Sequence, residues 1–359
     1  MKPRPWMPLI TMELPFREKL MRELQRGISS LVQGLKLSYL VYGPIGVGKT
    51  SILLSLIKTL TEMGTGKIIP LYIDCAKDIL MPADILTQLL NVLTYIRSID
   101  YNTLEEINRI INTKDIGMLI ELLDDRLNQA NMKALLILDH VEKLKFFSRY
   151  WDMRLTPKGI IERIMNSDTI GIICSITGIE EASNMFGNTK EFFIARRVDR
   201  LNARNAKRLF AMLLGNIEVD NDALEYCYDI TKGLPLHEHL LAEEVILSKV
   251  NRLSVKALQD IVERSLKRPY SVLYMGLRVY HYEVLEAVRG RNMAIKILLS
   301  ISKGYDTISK VSKDVGRPTQ YITGYVKRLS DIGILDYSEG KINVLDVLYL
   351  KWLLKMYSR

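Results

Sequence analysis

A glycine-rich segment near the N-terminus ends in a lysine and a threonine, in the order Gly-Pro-Ile-Gly-Val-Gly-Lys-Thr at residues 43–50. Glycines at this spacing let the backbone turn so that its N–H groups point into one concavity around phosphate oxygens. The lysine reaches the outer phosphates, and the threonine hydroxyl completes the shell of a magnesium ion. The segment therefore predicts a loop that binds ATP or ADP with Mg²⁺. Its nucleotide contacts are expected from Gly43, Pro44, Ile45, Gly46, Val47, Gly48, Lys49, Thr50 and Ser51.

The chain on either side of this loop has the pattern of a strand followed by a helix. An apolar run at residues 37–42 leads into the glycines, and residues 51–63 continue with apolar positions at the helical period. The positive end of that helix would face the bound anion. Because a phosphate-binding loop needs this context, nucleotide binding is the strongest functional prediction from the sequence.

A second apolar run, at residues 133–138, ends on an acid. Asp139 is expected to hold magnesium through water beside Thr50, and an incidental acid at a strand end is the alternative. Many ATPases place a glutamate directly after this acid to polarise the attacking water, but this chain has His140, and the nearest carboxylate is Glu142. A neutral imidazole has no fixed negative charge with which to orient water. Slow hydrolysis, or a switch that binds ATP and rarely hydrolyses it, is therefore expected.

Polar residues at the ends of two later strands complete the predicted catalytic set. Ser175 or Thr177 could hydrogen-bond the γ-phosphate or the water, although hydroxyl residues end strands for many reasons. Arg196 and Arg197 close the fifth strand, where a guanidinium stabilises charge on a transferring phosphoryl group, within the subunit or from a neighbour. Solvated surface arginines are an equal alternative. The catalytic candidates are Lys49, Asp139, His140, Glu142, Arg196 and Arg197.

The elements that must position these residues alternate between apolar strands and helices. Strands are predicted at residues 37–42, 68–75, 133–138, 169–176 and 192–198, and helices at residues 14–33, 51–63, 81–97 and 103–130. Near-continuous apolar strands between helices indicate a parallel sheet that is covered on both faces. The predicted fold is therefore α/β, with a three-layer P-loop parallel sheet in the first part of the chain.

The pattern changes after residue 202. Residues 203–263 show only helical periodicity, broken at residues 232–235, and a basic, tyrosine-bearing stretch follows at residues 265–282. From residue 292 the predicted order is three helices, a short hairpin and a final helix, which indicates a winged helix. The predicted domains are a P-loop ATPase domain at 1–202, an all-helical lid and connector at 203–290, and a winged-helix domain at 291–359.

The third helix of the predicted winged helix, at residues 319–332, has a polar and basic outer face. A recognition helix that enters the major groove of DNA needs such residues near its start. Winged helices also serve as protein docking modules, and Asp336 and Glu339 make the hairpin less basic, so both interpretations stay open. The residues expected to contact double-stranded DNA are Arg317, Thr319, Gln320, Lys327, Arg328 and Lys341.

Composition limits the classes of protein without choosing between them. The 359 residues are 48% hydrophobic and carry a formal net charge of +9, which permits binding to nucleic acid and is also typical of a thermophile-like surface. No stretch reaches the length of an apolar membrane span, and residues 1–5 lack the apolar region of a secretory signal. Three scattered cysteines show no metal-ligand spacing. A cytoplasmic protein with buried free thiols is expected.

Several motifs together resemble the archaeal ATPase family, on the STAND/AAA+ side of the P-loop ATPases and related to origin-recognition initiators. Phe-Arg-Glu-Lys at 16–19 is similar to the family's opening box, and the phosphate loop, Leu-Asp-His-Val-Glu-Lys-Leu at 138–144 and Gly-Leu-Pro-Leu at 233–236 follow in the family's order. Leu-Asp-Val-Leu-Tyr-Leu-Lys-Trp at 345–352 is similar to its close. The resemblance implies an ATPase domain, a lid and a winged helix. It also implies that Pro235 lies against the nucleotide and senses its state, whereas Gly233 and Pro235 on their own simply break a helix.

The hypothesis from the sequence is an ATP-dependent molecular switch whose nucleotide state positions a winged helix on DNA. His140 departs from the family's usual acid, so activity as an enzyme, an ATPase that forms ADP and phosphate, is uncertain. The competing class is a signalling or scaffold protein with negligible turnover, whose winged helix docks a protein partner or another copy of the chain. A small-molecule kinase is disfavoured, because the chain has a winged helix where a kinase needs an acceptor lid.

Overall fold

The computed structural model describes residues 14–63, 66–79, 81–96, 101–147, 156–187, 193–288 and 290–357. The N-terminal residues 1–5, the predicted end of a helix at 97 and the predicted strand start at Phe192 lie outside these ranges. The described chain forms two compact units. The sheet unit contains residues 14–42 and 49–197, and the C-terminal unit contains residues 43–48 and 198–357.

A five-stranded parallel sheet forms the centre of the sheet unit. Its strands are β1 (Ser38–Tyr42), β2 (Ile68–Asp74), β3 (Lys133–Asp139), β4 (Ile170–Ile176) and β5 (Ile194–Arg197), in the spatial order β2-β3-β4-β1-β5. Every pair of neighbours is parallel, so all carboxyl ends meet at one edge of the sheet. β4 is buried along its whole length, as expected of a strand covered on both faces. The predicted parallel sheet is confirmed.

Seven helices of the described chain accompany this sheet. They are α1 (Glu18–Val32), α2 (Lys49–Met63), α3 (Pro82–Leu90), α4 (Tyr101–Thr113), α5 (Ile116–Gln129), α6 (Pro157–Asn166) and α7 (Ile179–Phe186), with 3-10 turns at Asn91–Tyr95 and Val141–Phe147. The helix predicted at residues 14–33 forms as α1, whose apolar face is buried at Met21, Leu24, Ile28 and Leu31. One apolar core of this unit joins strand residues to residues of α3, α4, α5, α6 and α7.

The single helix predicted at residues 103–130 is wrong, because the chain breaks it into α4 and α5. Lys114 adopts a left-handed backbone with φ +51°, which stops α4. Asp115 then starts α5, since its carboxylate accepts a hydrogen bond of 3.1 Å from the backbone N–H of Met118. The apolar period continues across the break, which is why periodicity alone did not reveal it. Likewise, the helix predicted at 81–97 becomes 3-10 after Leu90.

The C-terminal unit begins with a mainly helical part. Its helices are α8 (Ala203–Leu214), α9 (Asn221–Thr231), α10 (Pro235–Leu247), α11 (Val255–Ser265) and α12 (Val272–Val288), and two short parallel strands, β6 (Glu218–Val219) and β7 (Arg252–Leu253), join it. The predicted break at 232–235 separates α9 from α10. Lys232 and Gly233 both have positive φ there, at +46° and +70°. Most of the predicted connector at 265–282 is helical, as part of α12.

The C-terminal module, residues 291–357, has the predicted order of three helices, a hairpin and a helix. Its elements are α13 (Arg291–Ser302), α14 (Ile308–Val315), α15 (Thr319–Asp331), β8 (Leu335–Ser338), β9 (Lys341–Val344) and α16 (Val347–Tyr357). The hairpin is antiparallel, with Leu335 opposite Val344, and it turns at Glu339 and Gly340. Tyr349 and Trp352 of α16 are completely buried. Within the C-terminal unit, the module is thus anchored by its last helix.

The cysteines, the possible metal ligands and the apolar helices are three further features that bear on the class of protein. All three cysteines are free and buried. Within the described ranges, no group of histidine, cysteine and carboxylate residues is arranged to hold a metal ion by itself. None of the helices in these ranges combines the length and the apolar character needed to cross a membrane.

Candidate nucleotide site

The phosphate loop at residues 43–48 belongs by its contacts to the C-terminal unit. At Gly46 the backbone is left-handed, with φ +77°, which a residue with a side chain rarely adopts. At Gly43 a close approach excludes a side chain, because a Cβ atom would lie 2.3 Å from the carbonyl oxygen of Val198. Ile45 and Val47 are buried. The loop therefore has the conformation and the exclusion of side chains that a cradle of backbone N–H groups requires.

Three different elements of the C-terminal unit contact this loop. Val198, directly after β5, lies against Gly43. Leu236, in the first turn of α10, donates a hydrogen bond of 3.2 Å from its backbone N–H to the carbonyl oxygen of Gly46. Gly333, directly beyond α15 and Ile332, approaches Pro44 so closely that a Cβ atom at position 333 would lie 2.6 Å from the Pro44 ring. The loop thus contacts the chain after β5, helix α10 and the C-terminal module at once.

Lys49, Thr50 and Ser51 form the first turn of α2, in the sheet unit. Lys49 is buried, and the other two are partly buried. A lysine whose ammonium group is buried at a helix N-terminus requires an anionic or hydrogen-bonding neighbour. The position of these residues directly after the loop is the one that phosphate and magnesium binding needs.

Asp139 is the most buried carboxylate at the edge where the strands end. Its Oδ2 atom accepts a hydrogen bond of 2.9 Å from the Tyr72 hydroxyl. Its Oδ1 atom accepts from the backbone N–H of His140, at 3.1 Å, and from the Ser175 hydroxyl. Both carboxylate oxygens are therefore held in place by protein donors, which fixes the orientation of the predicted magnesium ligand.

A second carboxylate, Asp74, ends β2 directly opposite Asp139 in the register of the two strands. It pairs with the ammonium group of Lys77 at 2.8 Å and with Nδ1 of His140 at 3.1 Å. Burial raises the pKa of Asp74, but the hydrogen bonds from His140 and Lys77 outweigh burial and leave the pKa well below its ordinary value. Asp74 is consequently a permanent negative charge beside Asp139.

His140 is held tightly at this edge by its backbone and by its ring. Its backbone is left-handed, with φ +52°, a conformation in which histidine is found more often than most residues. Its N–H donates to the Ser175 hydroxyl oxygen at 3.1 Å as well as to Asp139. Burial lowers the pKa of His140, but the hydrogen bond to Asp74 and the charges of Asp139 and Glu142 outweigh it and raise the pKa. Its Nδ1 atom is thus occupied by Asp74.

Glu142 and Thr177 form a separate pair at the same edge. The Thr177 hydroxyl donates a hydrogen bond of 2.8 Å to Oε1 of Glu142. Oε2 of Glu142 is buried and has no hydrogen-bond partner among the described residues. A buried carboxylate oxygen without a donor is costly, and such groups are concentrated at sites that bind a ligand, an ion or water. Two residues that the sequence considered separately are therefore in contact.

The two arginines of β5 differ in their surroundings. Arg196 pairs with Glu23 of α1 at 2.6 Å, and this contact raises its pKa. Arg197 is the last residue of β5 and is exposed.

Pro235, the residue expected to sense the nucleotide, is the first residue of α10 and is partly buried. Its neighbour Leu236 makes the contact with Gly46 described above.

Sequence reasoning assigned no role to four residues that make central contacts, two within each unit. Tyr72 and Asp74 surround Asp139, and the apolar run that ends at an acid was the available signal for Asp74. Arg200 and Asp346 are the other two, and no local pattern marks the arginine. Arg200 donates to the carbonyl oxygens of Thr231, at 3.0 Å, and of Gly333, at 2.8 Å.

Asp346 is fully buried in the C-terminal unit and lies 3.9 Å from the guanidinium of Arg200. Its Oδ2 accepts a hydrogen bond of 2.7 Å from the Tyr280 hydroxyl, and its Oδ1 lies 3.2 Å from Nδ1 of His237. Burial keeps the pKa of His237 low, at about 4, so this histidine is neutral near pH 7. Asp346 therefore joins the chain after β5, α10, α12 and the C-terminal module.

The residues expected to contact DNA all lie in the C-terminal module and are exposed. Among them, Arg328 also donates to the carbonyl oxygen of Val288, at 3.2 Å, and lies over the ring of Tyr325. Residues 291–357 contain 11 lysines and arginines against 6 aspartates and glutamates, so the module is basic. The exposed candidates are Arg317, Thr319, Gln320, Lys327, Arg328 and Lys341.

No family model matches this chain, and no curated protein does. Among solved structures, the Walker-type ATPase of Pyrococcus abyssi is similar over 97% of this chain and 98% of its own, with a TM-score of 0.70 and 14% identity. The ORC2 protein of Aeropyrum pernix, solved as ADPNP and ADP complexes, is similar over 98% of this chain and 97% of its own, with a TM-score of 0.62 and 14% identity. The chain therefore shares the fold of these two proteins, a P-loop parallel sheet followed by a helical C-terminal part.

Proposed function

We propose that this protein is an ATP-binding P-loop ATPase of the archaeal ATPase type that works as a nucleotide-dependent switch and engages double-stranded DNA through a winged helix at residues 291–357. The observation that carries the proposal is the set of three contacts to the phosphate loop. Pro44 and Gly46 contact Gly333 and Leu236, which belong to the C-terminal module and the lid. A loop that changes shape when phosphates bind would therefore displace both elements directly.

The nucleotide part of the proposal rests on residues that fit Mg-ATP. The backbone N–H groups of residues 43–48 and the Lys49 ammonium group would bind the phosphates, and Thr50 with Asp139 would hold Mg²⁺. The bound ion supplies positive charge to the phosphate oxygens. The similar ORC2 protein is described as complexes with ADPNP and ADP, which supports nucleotide binding by this fold.

Hydrolysis is proposed to be slow. His140 stands where a glutamate would orient the attacking water, and its Nδ1 is occupied by Asp74 at 3.1 Å. Glu142 is the other carboxylate at this edge, and Thr177 fixes one of its oxygens. A water oriented by the free Oε2 atom of Glu142 would give weak turnover, because this glutamate lies two residues further along the chain than the usual one. Arg196 and Arg197 remain candidates for charge stabilisation, within one subunit or between two.

The DNA part of the proposal rests on the exposure and charge of α15. Its candidate residues face solvent, and the module as a whole is basic, which suits a duplex whose surface is a line of phosphates. The domain division that goes with this function is an ATPase domain at 1–202, a lid at 203–290 and the winged helix at 291–359. A cytoplasmic location agrees with these partners.

ATP binding and hydrolysis, each measured with and without duplex DNA, test the proposal on the wild type, Lys49→Ala and His140→Glu. Lys49→Ala is expected to weaken ATP binding by at least roughly 10-fold, because a charge-assisted contact is worth more than about 1.4 kcal/mol. His140→Glu is expected to raise turnover. Glu142→Gln is the matched control for the alternative carboxylate, and it should lower whatever turnover the wild type has.

The outcomes separate the two classes of function. Turnover that rises with DNA and disappears in Lys49→Ala supports the DNA-coupled ATPase. ATP binding without measurable turnover, even with DNA, supports a signalling or scaffold protein whose module docks a protein partner. A wild type that binds no ATP contradicts the proposal as a whole.

A further inference from the structure

Gly324 occupies the middle of α15, on its exposed face. Its backbone is helical, and a Cβ atom at this position would meet no atom of the chain within 4 Å. Glycine in the interior of a helix is less favourable than alanine, because it loses more backbone freedom on folding. The fold of this chain therefore gives no reason for a glycine here.

Other glycines of the described chain do have such a reason. At Gly27 in α1, a Cβ atom would lie 2.7 Å from the side chain of Leu37, so packing excludes a side chain. At Gly333, both a left-handed backbone and the approach of Pro44 require glycine. Gly324 shares neither feature. A glycine whose empty space lies outside the molecule is explained when something outside approaches the helix backbone closely.

The surroundings of Gly324 indicate the charge of that partner. Residues 315–330 contain three lysines and arginines and no aspartate or glutamate. Gln320 and Lys327 lie on the same exposed face as Gly324, four residues before it and three residues after it. Thr323 keeps its hydroxyl bonded to the carbonyl oxygen of Thr319, at 2.8 Å, so it adds little bulk to this face. The face has no side chain at its centre, a neutral amide at one end and a positive charge at the other.

We infer that Gly324 is the point at which α15 approaches double-stranded DNA most closely, with the wall or floor of the major groove in van der Waals contact with the helix backbone. This inference rests on the proposed DNA-binding function and adds a residue that determines how deeply the helix enters. A major groove admits an α-helix with little room to spare, so a side chain at the central position holds the helix away from the bases. Lys327 then reaches a phosphate, and Gln320 reaches a base edge.

The test compares binding of a fluorescent DNA duplex by the wild type, Gly324→Ala, Gly324→Leu and Lys327→Ala, with the full chain, at several salt concentrations. Gly324→Ala is expected to lower the affinity by about 10-fold, and Gly324→Leu by more, without a change in the dependence on salt. Lys327→Ala is expected to lower the affinity for DNA. It should also make the slope of log affinity against log salt concentration shallower by about one unit. Gln259→Leu, which places a leucine on the exposed face of α11, is the control for added surface bulk.

Thermal unfolding keeps the result interpretable. Gly324→Ala is expected to unfold at the same temperature as the wild type or above it, so weaker binding cannot come from a damaged helix. Normal binding by Gly324→Ala and Gly324→Leu, with weaker binding by Lys327→Ala, overturns the inference and leaves DNA as the partner. Failure of the wild type to bind any duplex overturns both the inference and the DNA part of the proposed function. The ATP-binding measurement above then decides separately whether the nucleotide switch stands.

Discussion

The guanidinium of Arg200 donates a hydrogen bond of 2.8 Å to the carbonyl oxygen of Gly333, the residue that packs against Pro44 of the phosphate loop. The same side chain donates to Thr231 at the end of α9 and lies 3.9 Å from the buried Asp346. One arginine therefore joins α9 to the C-terminal module and to Gly333, the residue that contacts the phosphate loop. In a switch, such a residue would transmit the state of the loop to the module.

Replacement of Arg200 is expected to uncouple the module from the nucleotide. Arg200→Ala removes two hydrogen bonds and a positive charge near buried Asp346, at a cost of about 3 kcal/mol in the free energy of unfolding. Limited proteolysis of Arg200→Ala would then give the same fragment pattern with and without ATP. The fragment pattern of the wild type would differ between the two conditions. Arg204→Ala, which removes an exposed arginine of α8, should keep the ATP-dependent difference. Retention of that difference in Arg200→Ala would contradict the role of this arginine.

Gly333 can be tested against a matched glycine. Gly333→Ala and Gly304→Ala both place alanine on a left-handed backbone, at φ +82° and +96°, which costs about 1–2 kcal/mol. Only position 333 has a neighbour, Pro44, so Gly333→Ala should cost roughly 1–3 kcal/mol more by overpacking. Gly333→Ala should also change the affinity for ATP, measured with a fluorescent analogue, and Gly304→Ala should not. Equal effects of the two substitutions would show that the contact with Pro44 contributes neither to stability nor to ATP affinity.

The buried carboxyl group of Glu238 in α10 predicts a pH dependence of stability. Burial raises its pKa from 4.5 to about 9, so the folded protein keeps this proton when the unfolded chain has lost it. The unfolded state binds fewer protons between these two pH values, and the free energy of unfolding should therefore fall as the pH rises. Below pH 4.5 both states are protonated, and Glu238 adds no pH dependence to the free energy of unfolding.

Glu238→Gln should remove this slope. Relative to the wild type, the variant is expected to be unchanged near pH 4.5 and more stable by about 3 kcal/mol at pH 7, because each unit of pH is worth about 1.4 kcal/mol. Urea unfolding at several pH values measures the difference. Glu105→Gln, on an exposed position of α4, is the control. A constant difference between wild type and Glu238→Gln across this range would exclude a neutral buried carboxyl group.

Tyr72 is expected to stabilise Asp139 before any ion binds. Tyr72→Phe removes the hydroxyl that donates to Oδ2 of Asp139 and should lower the free energy of unfolding by roughly 1–3 kcal/mol. The matched control is Tyr95→Phe, since Tyr95 is 62% exposed and should tolerate the change. Magnesium titration of ATP binding gives a second readout. Tyr72→Phe should need more magnesium, because Asp139 loses a donor that holds its carboxylate in position, and an unchanged requirement would exclude this role.

The features of the fold that could be predicted each depend on residues that are close together in the sequence. Apolar runs at 133–138 and 169–176 predict buried strands because a parallel strand covered on both faces needs apolar residues throughout. The phosphate loop is visible because its glycines, Lys49 and Thr50 are adjacent in sequence. The break between α4 and α5 escaped detection, since a single left-handed residue, Lys114, interrupts a period that continues on both sides.

The partners of the site residues could not be predicted in the same way. Asp74 lies 65 residues before Asp139, and only the pairing of β2 with β3 brings them opposite each other. Thr177 and Glu142 meet because β3 and β4 are neighbours in the sheet. Strand order depends on the packing of the whole layer, and no residue pattern within one strand encodes it.

By itself, the sequence determined that this chain has a parallel sheet, a phosphate loop and a basic C-terminal module, because each depends on residues close together in the chain. Tertiary structure decided that Pro44 contacts Gly333 and that Arg200 and Asp346 join α9 and α10 to the C-terminal module. Such contacts link residues far apart in sequence, and their free energy comes from burial and hydrogen bonds that exist only once the elements have packed together.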